Sequence, residues 1–229
     1  MRKPTVDYHG LRPKTLFTPQ YSHLLLLLCW VGYLVLFFLT ENLIPTERCI
    51  PVHCALDDII PFCEVFIIPY VGWYFFIAGS LLYYLLYDVE NFKRLQIYIV
   101  LLQAIALLIF TFIPTRQDLR PPVLERNNVF TACVEFLYTI DTNTGVCPSL
   151  HCAISIGIAS VWLKDRSAAA WLKTFIAVFA ALICLSTVFL KQHSVIDFVA
   201  ALPLCLAAEA VVYGSYWKGK LTRRKQIHA

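Results

Sequence analysis

Runs of about twenty residues without a single Asp, Glu, Lys or Arg constrain this chain more than any other feature of its sequence. They occupy positions 22–40, 65–87 and 95–114. The hydrocarbon core of a bilayer is about 30 Å thick and is crossed by roughly 20 helical residues, so each run is long enough to span it. Of the 229 residues, 59% are hydrophobic and only 15% are charged, which is more apolar surface than a water-soluble domain of this size can bury. The sequence therefore predicts a polytopic helical membrane protein.

Three further apolar segments complete the predicted bundle. They lie at 149–163, 170–190 and 194–214. The segment at 149–163 is short for a span, and the last segment contains Asp197 and Glu209. An ionisable group inside a span is costly and marks a functional site. We thus expect an all-α fold, with residues 1–229 forming a single integral membrane domain of six transmembrane helices.

The distribution of basic residues predicts the orientation of the bundle. Most of the 19 Lys and Arg residues fall in the amino-terminal tail, the 88–94 and 164–173 loops and the carboxy-terminal tail. Because Lys and Arg are enriched in cytoplasmic loops, both termini are expected in the cytoplasm. The basic segment 218–226 indicates contact with anionic lipid headgroups rather than with nucleic acid. Short loops and the lack of an N-glycosylation sequon favour a bacterial plasma membrane.

Cysteines are distributed in agreement with this orientation. Five of them fall in predicted outer segments: Cys49, Cys54, Cys63, Cys133 and Cys147. Such a face permits disulfides, but their pairing cannot be deduced from sequence, and burial as free thiols is the alternative.

Three short polar segments meet at the outer face in this topology, at 115–122, 147–151 and 190–197. Their chemically active residues are Arg116, Arg120, Ser149, His151, Lys191, His193 and Asp197. Guanidinium and ammonium groups neutralise and hydrogen-bond the oxygens of a tetrahedral oxyanion. The three segments therefore predict an outer-face active site for a phosphate group.

His193 and Asp197 form the most informative pair. Their i, i+4 spacing puts both on one face of a helix. There the Asp197 carboxylate can accept a hydrogen bond from one imidazole nitrogen, which fixes the tautomer and leaves the other nitrogen as a nucleophile. Ser149 is a candidate N-cap whose helix would aim free N–H groups at an anion, with His151 in the first turn. Each residue also has a structural alternative. The His193–Asp197 pair could be a polar contact between helices, and His151 could simply lie at the membrane interface. The arginines could be a pair that snorkels at a helix end. Metal-ligand spacing is not apparent, so we expect no metal and no cofactor.

The same residues resemble the type 2 phosphatidic acid phosphatase superfamily of membrane phosphoesterases. Arg120-Pro121 is similar to the end of its first motif, and Pro148-Ser149-Leu150-His151 to its Pro-Ser-Gly-His motif. Ser186, His193 and Asp197 are similar to the third motif. The resemblance covers about positions 110–200 and implies hydrolysis of a lipid phosphate or diphosphate, either a phospholipid or an isoprenoid phosphate.

The resemblance also implies a role for each candidate residue. His193 would attack phosphorus to form a phosphohistidine, with Asp197 orienting it. His151 would protonate the leaving oxygen and then activate water or a second alcohol. The phosphate ligands would be Arg116, Arg120, Lys191 and Ser149.

Two departures from the motifs leave other functions open. Ile113 and Thr187 stand where the superfamily has Lys and Arg, a pattern nearest to the inositol phosphorylceramide synthase-like branch, which transfers a phospho-headgroup between lipids. A transporter that uses Asp197, His193 and Glu209 as an ion path and a catalytically inactive scaffold are further alternatives. Apolar residues at helical spacing within 122–141 predict a helix on the outer interface. It either covers the lipid entry to the site or is a packed connecting helix without a gating role.

Overall fold

The computed structural model describes the backbone of residues 4–227 and the side chains of residues 4–217. The basic side chains predicted to contact lipid headgroups, at 218–226, lie outside this description. The described chain is mostly helical. Its α-helices are α1 (Leu28–Leu43), α2 (Ala55–Ile59), α3 (Ile67–Tyr87), α4 (Val89–Phe112), α5 (Val129–Ile140), α6 (Leu150–Lys164), α7 (Ala170–Phe189) and α8 (Val195–Ile227). Two short strands, β1 (Ile50–Pro51) and β2 (Thr115–Arg116), pair in parallel.

Five helical segments are long and apolar enough to cross a membrane. They are Ser22–Leu43, Glu64–Tyr87, Val89–Phe112, Ala170–Phe189 and Val195–Trp217. These correspond to five of the six predicted spans, and they support an integral membrane protein. The remaining predicted span, 149–163, is helix α6, which has 15 residues and is shorter than the others. The six-span bundle therefore remains a prediction.

Helix α6 lies at the centre of the bundle and packs against α3, α4, α7 and α8. Its side chains Ile154, Ile158 and Val161 are almost fully buried. Helix α1 lies at the edge and packs on α4, without a buried residue of its own. Many apolar side chains of α1, such as Val31, Val35 and Phe38, are exposed on the outer side of the helix, as they would be toward lipid.

The start of α6 is recessed below the end of α4. We define the site end of the bundle as the end where α4 and α7 finish and where α6 and α8 begin. A Cβ atom on Gly157 would lie 2.6 Å from the Tyr98 ring, so these residues face each other on antiparallel helices. Counting six residues in opposite directions places His151 level with about position 104 of α4. At 1.5 Å per residue, His151, in the first turn of α6, therefore lies about 12 Å below Phe112, the last residue of α4.

The chain around the site end is irregular, apart from short elements. The Ile50 and Val52 amides of the β1 segment donate to the carbonyls of Pro114 and Arg116, both at 2.8 Å. The predicted interfacial helix at 122–141 is shorter than expected and begins at Val129, because the Asn128 side chain accepts hydrogen bonds from the first-turn amides. Its inward face is formed by Thr131, Val134 and Leu137.

Candidate active site

A cavity of about 580 Å³ opens between α1, α3, α4 and α6 and extends to the site end. Most of its wall is apolar or aromatic, and includes Trp30, Ile77 and Leu81. Its polar part is lined by Asp141, Thr142, Thr144, His151, Gln192 and His193. Of the seven site residues predicted from sequence, His151 and His193 line this cavity.

The α7–α8 connection, residues 190–194, carries His193 into the cavity wall. The amides of Gln192 and His193 both donate to the Thr187 carbonyl at 3.0 Å, which folds the loop back on the end of α7. Ser194 is the residue before α8, and its Oγ accepts from the Ile196 amide at 3.2 Å. The Ser194 amide in turn donates to Asp197 Oδ2 at 3.0 Å. These two hydrogen bonds cap the first turn of α8 and fix the position of the Asp197 carboxylate.

His193 Nδ1 lies 3.1 Å from Asp197 Oδ2, so the expected contact is present in the structure. The two residues do not share a helix face as predicted, because α8 begins at Val195 and His193 lies in the loop before it. Both side chains are buried. Burial acts to lower the pKa of His193, but the hydrogen bond and the charge of Asp197 outweigh it, and the pKa is raised above its ordinary 6.5. With Nδ1 held by the carboxylate, Nε2 is the nitrogen left to react with a ligand in the cavity.

His151 faces His193, with 5.8 Å between the ring centroids. Aromatic rings hold it in place: Tyr70 stacks on it at 4.6 Å, and Trp73 is tilted against it at 4.1 Å. Its buried Nε2 has no hydrogen-bond partner within residues 4–217. An imidazole held by stacking, with a ring nitrogen still unpaired, is suited to exchanging protons with a ligand.

Ser149 links the start of α6 to the start of α8. Its Oγ accepts from the Cys152 amide at 3.4 Å, which makes it the predicted N-cap of α6. Its own amide donates to the Asp197 carbonyl at 3.0 Å. The start of α6, which carries His151, is thereby tied to the start of α8, which carries Asp197.

Arg120 supports the polar part of the cavity from behind. Its Nε and Nη2 atoms donate to Gln192 Oε1 at 3.0 and 2.6 Å, and Nη2 also donates to the carbonyls of Asp141 and Thr142 at 2.9 Å. Nη1 donates to the Tyr138 carbonyl at 3.2 Å, and the guanidinium stacks over the Tyr138 ring. All three guanidinium nitrogens are therefore engaged with protein groups.

The other two predicted phosphate ligands also contact protein groups and lie outside the cavity wall. Lys191 adopts a left-handed backbone conformation, with φ of 54°, and its ammonium donates to the carbonyls of Asp57, at 2.6 Å, and Ile60. Arg116 Nη1 forms an ion pair with Asp118 at 3.0 Å. The geometry brings the histidines and Asp197 together but keeps the three cations apart from them, so their role as phosphate ligands remains a prediction.

Asp57 is a site-supporting residue that the sequence reasoning missed. This buried carboxylate accepts from Ser194 Oγ at 2.6 Å, from the Val195 amide at 2.9 Å and from the Cys54 amide at 2.8 Å. It therefore clamps the loop that carries His193. No local pattern pairs two residues 137 positions apart, and an acidic loop alone gave no signal of this contact.

Tyr70, Asp141 and Gln192 were missed as well. The Tyr70 hydroxyl donates to Asp141 Oδ2 at 2.8 Å, and Gln192 Nε2 donates to the same oxygen at 3.1 Å. They form a polar network that joins α3 to the loop before α6 and to the His193 loop. In the sequence, these residues stand out only as polar groups inside or beside apolar runs. That pattern does not indicate which residues they contact.

The cysteines of this chain form neither disulfides nor a metal-binding cluster among the described residues. All nine cysteines are free thiols. Cys147 lies beside Asp197, and its pKa is raised to about 12 by burial and by that carboxylate. Over the part of the chain that the structure describes, no three His, Cys, Asp or Glu side chains converge as a metal site would require.

Comparison with known families gives a match over more than half of the chain. Residues 94–220 match the model of the PAP2 superfamily. This range runs from α4 into α8 and contains all seven predicted site residues. The cavity walls from α1 and α3, and the Asp57 clamp, lie outside it. No curated protein and no solved structure matches the chain.

Proposed function

Since the chain belongs to the PAP2 superfamily, whose members are phosphoesterases or phosphotransferases, we propose that it is a membrane lipid phosphatase acting through a phosphohistidine. The observation that carries this proposal is the buried His193–Asp197 pair facing His151 at the polar part of a largely apolar cavity. The polar part suits a phosphate, and the apolar part suits a lipid chain. The substrate is a lipid phosphate or diphosphate.

The proposed reaction has two steps. His193 Nε2 attacks phosphorus, the bond from phosphorus to the lipid oxygen breaks, and His151 gives its proton to that leaving oxygen. Water then loses a proton to His151 and attacks phosphorus, which breaks the nitrogen–phosphorus bond and releases inorganic phosphate. Asp197 keeps His193 in the reactive tautomer and stabilises the positive charge on its ring.

In this proposal the phosphate oxygens are bound by amides at the start of α6, and the predicted cations act on them from behind the cavity wall. The first amides of a helix lack intrahelical acceptors and attract anions, and Ser149 places this helix end beside His193. Arg120 does not line the cavity. Its guanidinium donates to Gln192, and Gln192 lines the cavity. Arg116 and Lys191 contribute in this proposal through their positive charge at the site end.

Headgroup transfer between lipids is the second candidate function. The polar part of the cavity is lined by Asp141, Thr142, Thr144 and Gln192, and no Lys or Arg belongs to the described lining. Hydroxyl, amide and carboxylate groups recognise an alcohol better than they neutralise a second phosphate. This lining favours an acceptor alcohol in place of water, as in the inositol phosphorylceramide synthase-like branch.

We place the site at the outer face of a bacterial plasma membrane, in a six-span bundle with both termini in the cytoplasm. The distribution of Lys and Arg along the sequence supports this orientation. A bilayer-embedded substrate would then reach the cavity from the outer leaflet.

The test is release of inorganic phosphate from a panel of lipid mono- and diphosphates by the purified protein in detergent with EDTA. His193→Ala should abolish release, and His53→Ala, which alters an exposed histidine, should not. Acid-labile radioactive labelling of the wild-type protein by a labelled lipid phosphate should report the phosphohistidine. Release that survives in His193→Ala would overturn the mechanism. Headgroup exchange that requires a diacylglycerol or ceramide acceptor would favour the transferase.

A further inference from the structure

Helix α5 has a second apolar face, which the rest of the described chain leaves exposed. Four apolar residues recur along it at spacings of four, three and four, so they form one stripe on the helix surface. We call them the α5 stripe: Val129, Cys133, Phe136 and Ile140. Val129, Phe136 and Ile140 are 68%, 65% and 64% exposed, and Cys133 is exposed as well. The stripe lies apart from the inward face that packs on the protein, so packing within the chain does not account for it.

The two flanks of the α5 stripe differ in polarity. Glu135 and Thr139 are exposed, lie four residues apart and form a polar row along one flank. On the other flank the partly buried Phe130 packs with Val134, so the stripe passes directly into the apolar inward face. An apolar face that joins the protein on one side and a polar row on the other suits a helix at a boundary between protein, lipid and water.

Two hydrogen bonds place the last turn of α5 close to the depth of His151. Asp141, the residue after α5, accepts from the hydroxyl of Tyr70 at 2.8 Å, and the Tyr70 ring stacks on His151. The Tyr138 hydroxyl donates at 2.7 Å to the carbonyl of Leu190, where α7 ends and the loop to α8 begins. The end of α5 is therefore recessed into the bundle together with the reacting groups.

This depth lies within the hydrocarbon layer of a membrane that α4 spans. Helix α4 has 24 residues and a length of about 36 Å, so it exceeds a core of roughly 30 Å by about 3 Å at each end. His151 is about 12 Å below Phe112, the last residue of α4, and thus about 9 Å inside that layer. Interfacial helices bury their apolar faces about 5–10 Å into the boundary between headgroups and acyl chains, which agrees with this depth.

We propose that α5 is inserted in the membrane, with its stripe in contact with the acyl chains of the leaflet at the site end. The flank that carries Glu135 and Thr139 faces headgroups and water. This proposal goes beyond the proposed function and does not depend on it, because it uses only the amphipathic pattern and the depth of the helix. A soluble partner cannot reach the stripe at this depth without entering hydrocarbon. Helix α5 then joins the leaflet on one side to the loop of His193 on the other, through Tyr138.

Cys133 provides a test that requires no substitution in the stripe. It is exposed, whereas the other eight cysteines are buried or partly buried. The full chain is reconstituted in phospholipid vesicles and labelled with a thiol-specific nitroxide. Electron paramagnetic resonance then measures collisions of the label with oxygen, which dissolves in hydrocarbon, and with a water-soluble nickel chelate. Cys133→Ser gives the background from the other thiols, and Cys133→Ser combined with Glu135→Cys is the matched control that moves the label to the polar flank.

The label on Cys133 should collide with oxygen and lose nearly all collisions with the nickel chelate. The label carried by Glu135→Cys should show the opposite order. Frequent collisions of the Cys133 label with nickel would place the stripe in water and overturn the proposal. Loss of both kinds of collision would overturn it too, because protein would then cover the stripe, and magnetic broadening between labels would identify that protein as a second copy of this chain.

Discussion

Replacing Asp57 should loosen the loop that carries His193, although Asp57 itself lies outside the cavity wall. Its carboxylate accepts hydrogen bonds from the Ser194 hydroxyl and from the Val195 and Cys54 amides. Its own carbonyl accepts from the Lys191 ammonium. The clamp therefore joins α2 to both sides of His193.

The cost follows from the three bonds to the carboxylate. Asp57 is 1% exposed, and a hydrogen bond to a buried charged acceptor contributes about 1.5–3 kcal/mol. Asp57→Ala leaves three donors without this acceptor, and water that enters the space recovers part of the loss. We therefore expect about 3–5 kcal/mol of lost stability, which lowers the melting temperature by about 10 °C for a chain of this length. Asp57→Asn should cost less stability than Asp57→Ala, because the remaining amide oxygen still accepts hydrogen bonds. Its new NH₂ group faces a donor, so that part of the clamp is lost.

The pH dependence has a defined sign. Burial acts to raise the pKa of Asp57, but the hydrogen bonds from Ser194, Val195 and Cys54 outweigh it, and the pKa is lowered. The stability contribution is then fully present above the unfolded pKa of about 3.9 and is lost as pH falls through the lower folded value. The difference in melting temperature between wild type and Asp57→Asn should shrink below about pH 4.

Thermal melts in detergent and turnover assays would measure both effects, with Asp58→Ala as the control. Asp58 is the neighbouring carboxylate, and its contact with His53 is exposed to solvent. Its removal should leave the melting temperature and the activity unchanged. If Asp57→Ala melted and reacted like Asp58→Ala, the clamp would have no role in placing His193.

Three further predictions test other parts of the site. Asp197→Asn should lower kcat by roughly 10²–10⁴-fold. Without the Asp197 charge, the pKa of His193 is lower than in the wild-type protein, so the acid limb of the pH–rate profile should move to lower pH. Gly157→Ala should destabilise the fold by about 1–3 kcal/mol in thermal melts, because its Cβ would meet a tyrosine ring at 2.6 Å, whereas Gly79→Ala enters open space and should not. Arg120→Lys should lower both turnover and melting temperature, since one ammonium cannot replace the forked contacts of the guanidinium, and an unchanged protein in both assays would contradict that reading.

Local patterns in the sequence predicted the elements whose causes are local. Apolar runs correspond to the long helices, because helix length and hydropathy are both read from consecutive residues. The i, i+4 spacing predicted the contact of His193 with Asp197, and the Pro-Ser start of α6 predicted the cap at Ser149. Ser149 and Cys152 lie within the first turn of α6, so that geometry follows from spacing, whereas His193 precedes α8 and meets Asp197 through the loop that caps this helix.

Contacts between distant segments could not be predicted in this way. Lys191 was expected to bind phosphate, but its left-handed backbone and the carbonyls of α2 and the residue after it direct the ammonium elsewhere. Arg120 likewise donates to backbone carbonyls between positions 138 and 142. Every residue has a backbone carbonyl, so the sequence does not indicate which carbonyls a cation will contact. The positive charges were therefore recognised, while their partners were not.

The recessed start of α6 connects these findings. Because His151 lies about 12 Å below the last residue of α4, the reacting groups are surrounded by protein and apolar cavity rather than by water. In such surroundings an unpaired charge is expensive, so each cation near the site is held by carbonyls or carboxylates of the protein. Among residues 4–217, the side chains in the wall that keep unpaired polar atoms are the neutral Gln103 and Trp73 and His151, through one ring nitrogen. Depth therefore favours a ligand that brings its own phosphate charge to the histidines and places its hydrocarbon chain in the apolar part of the cavity.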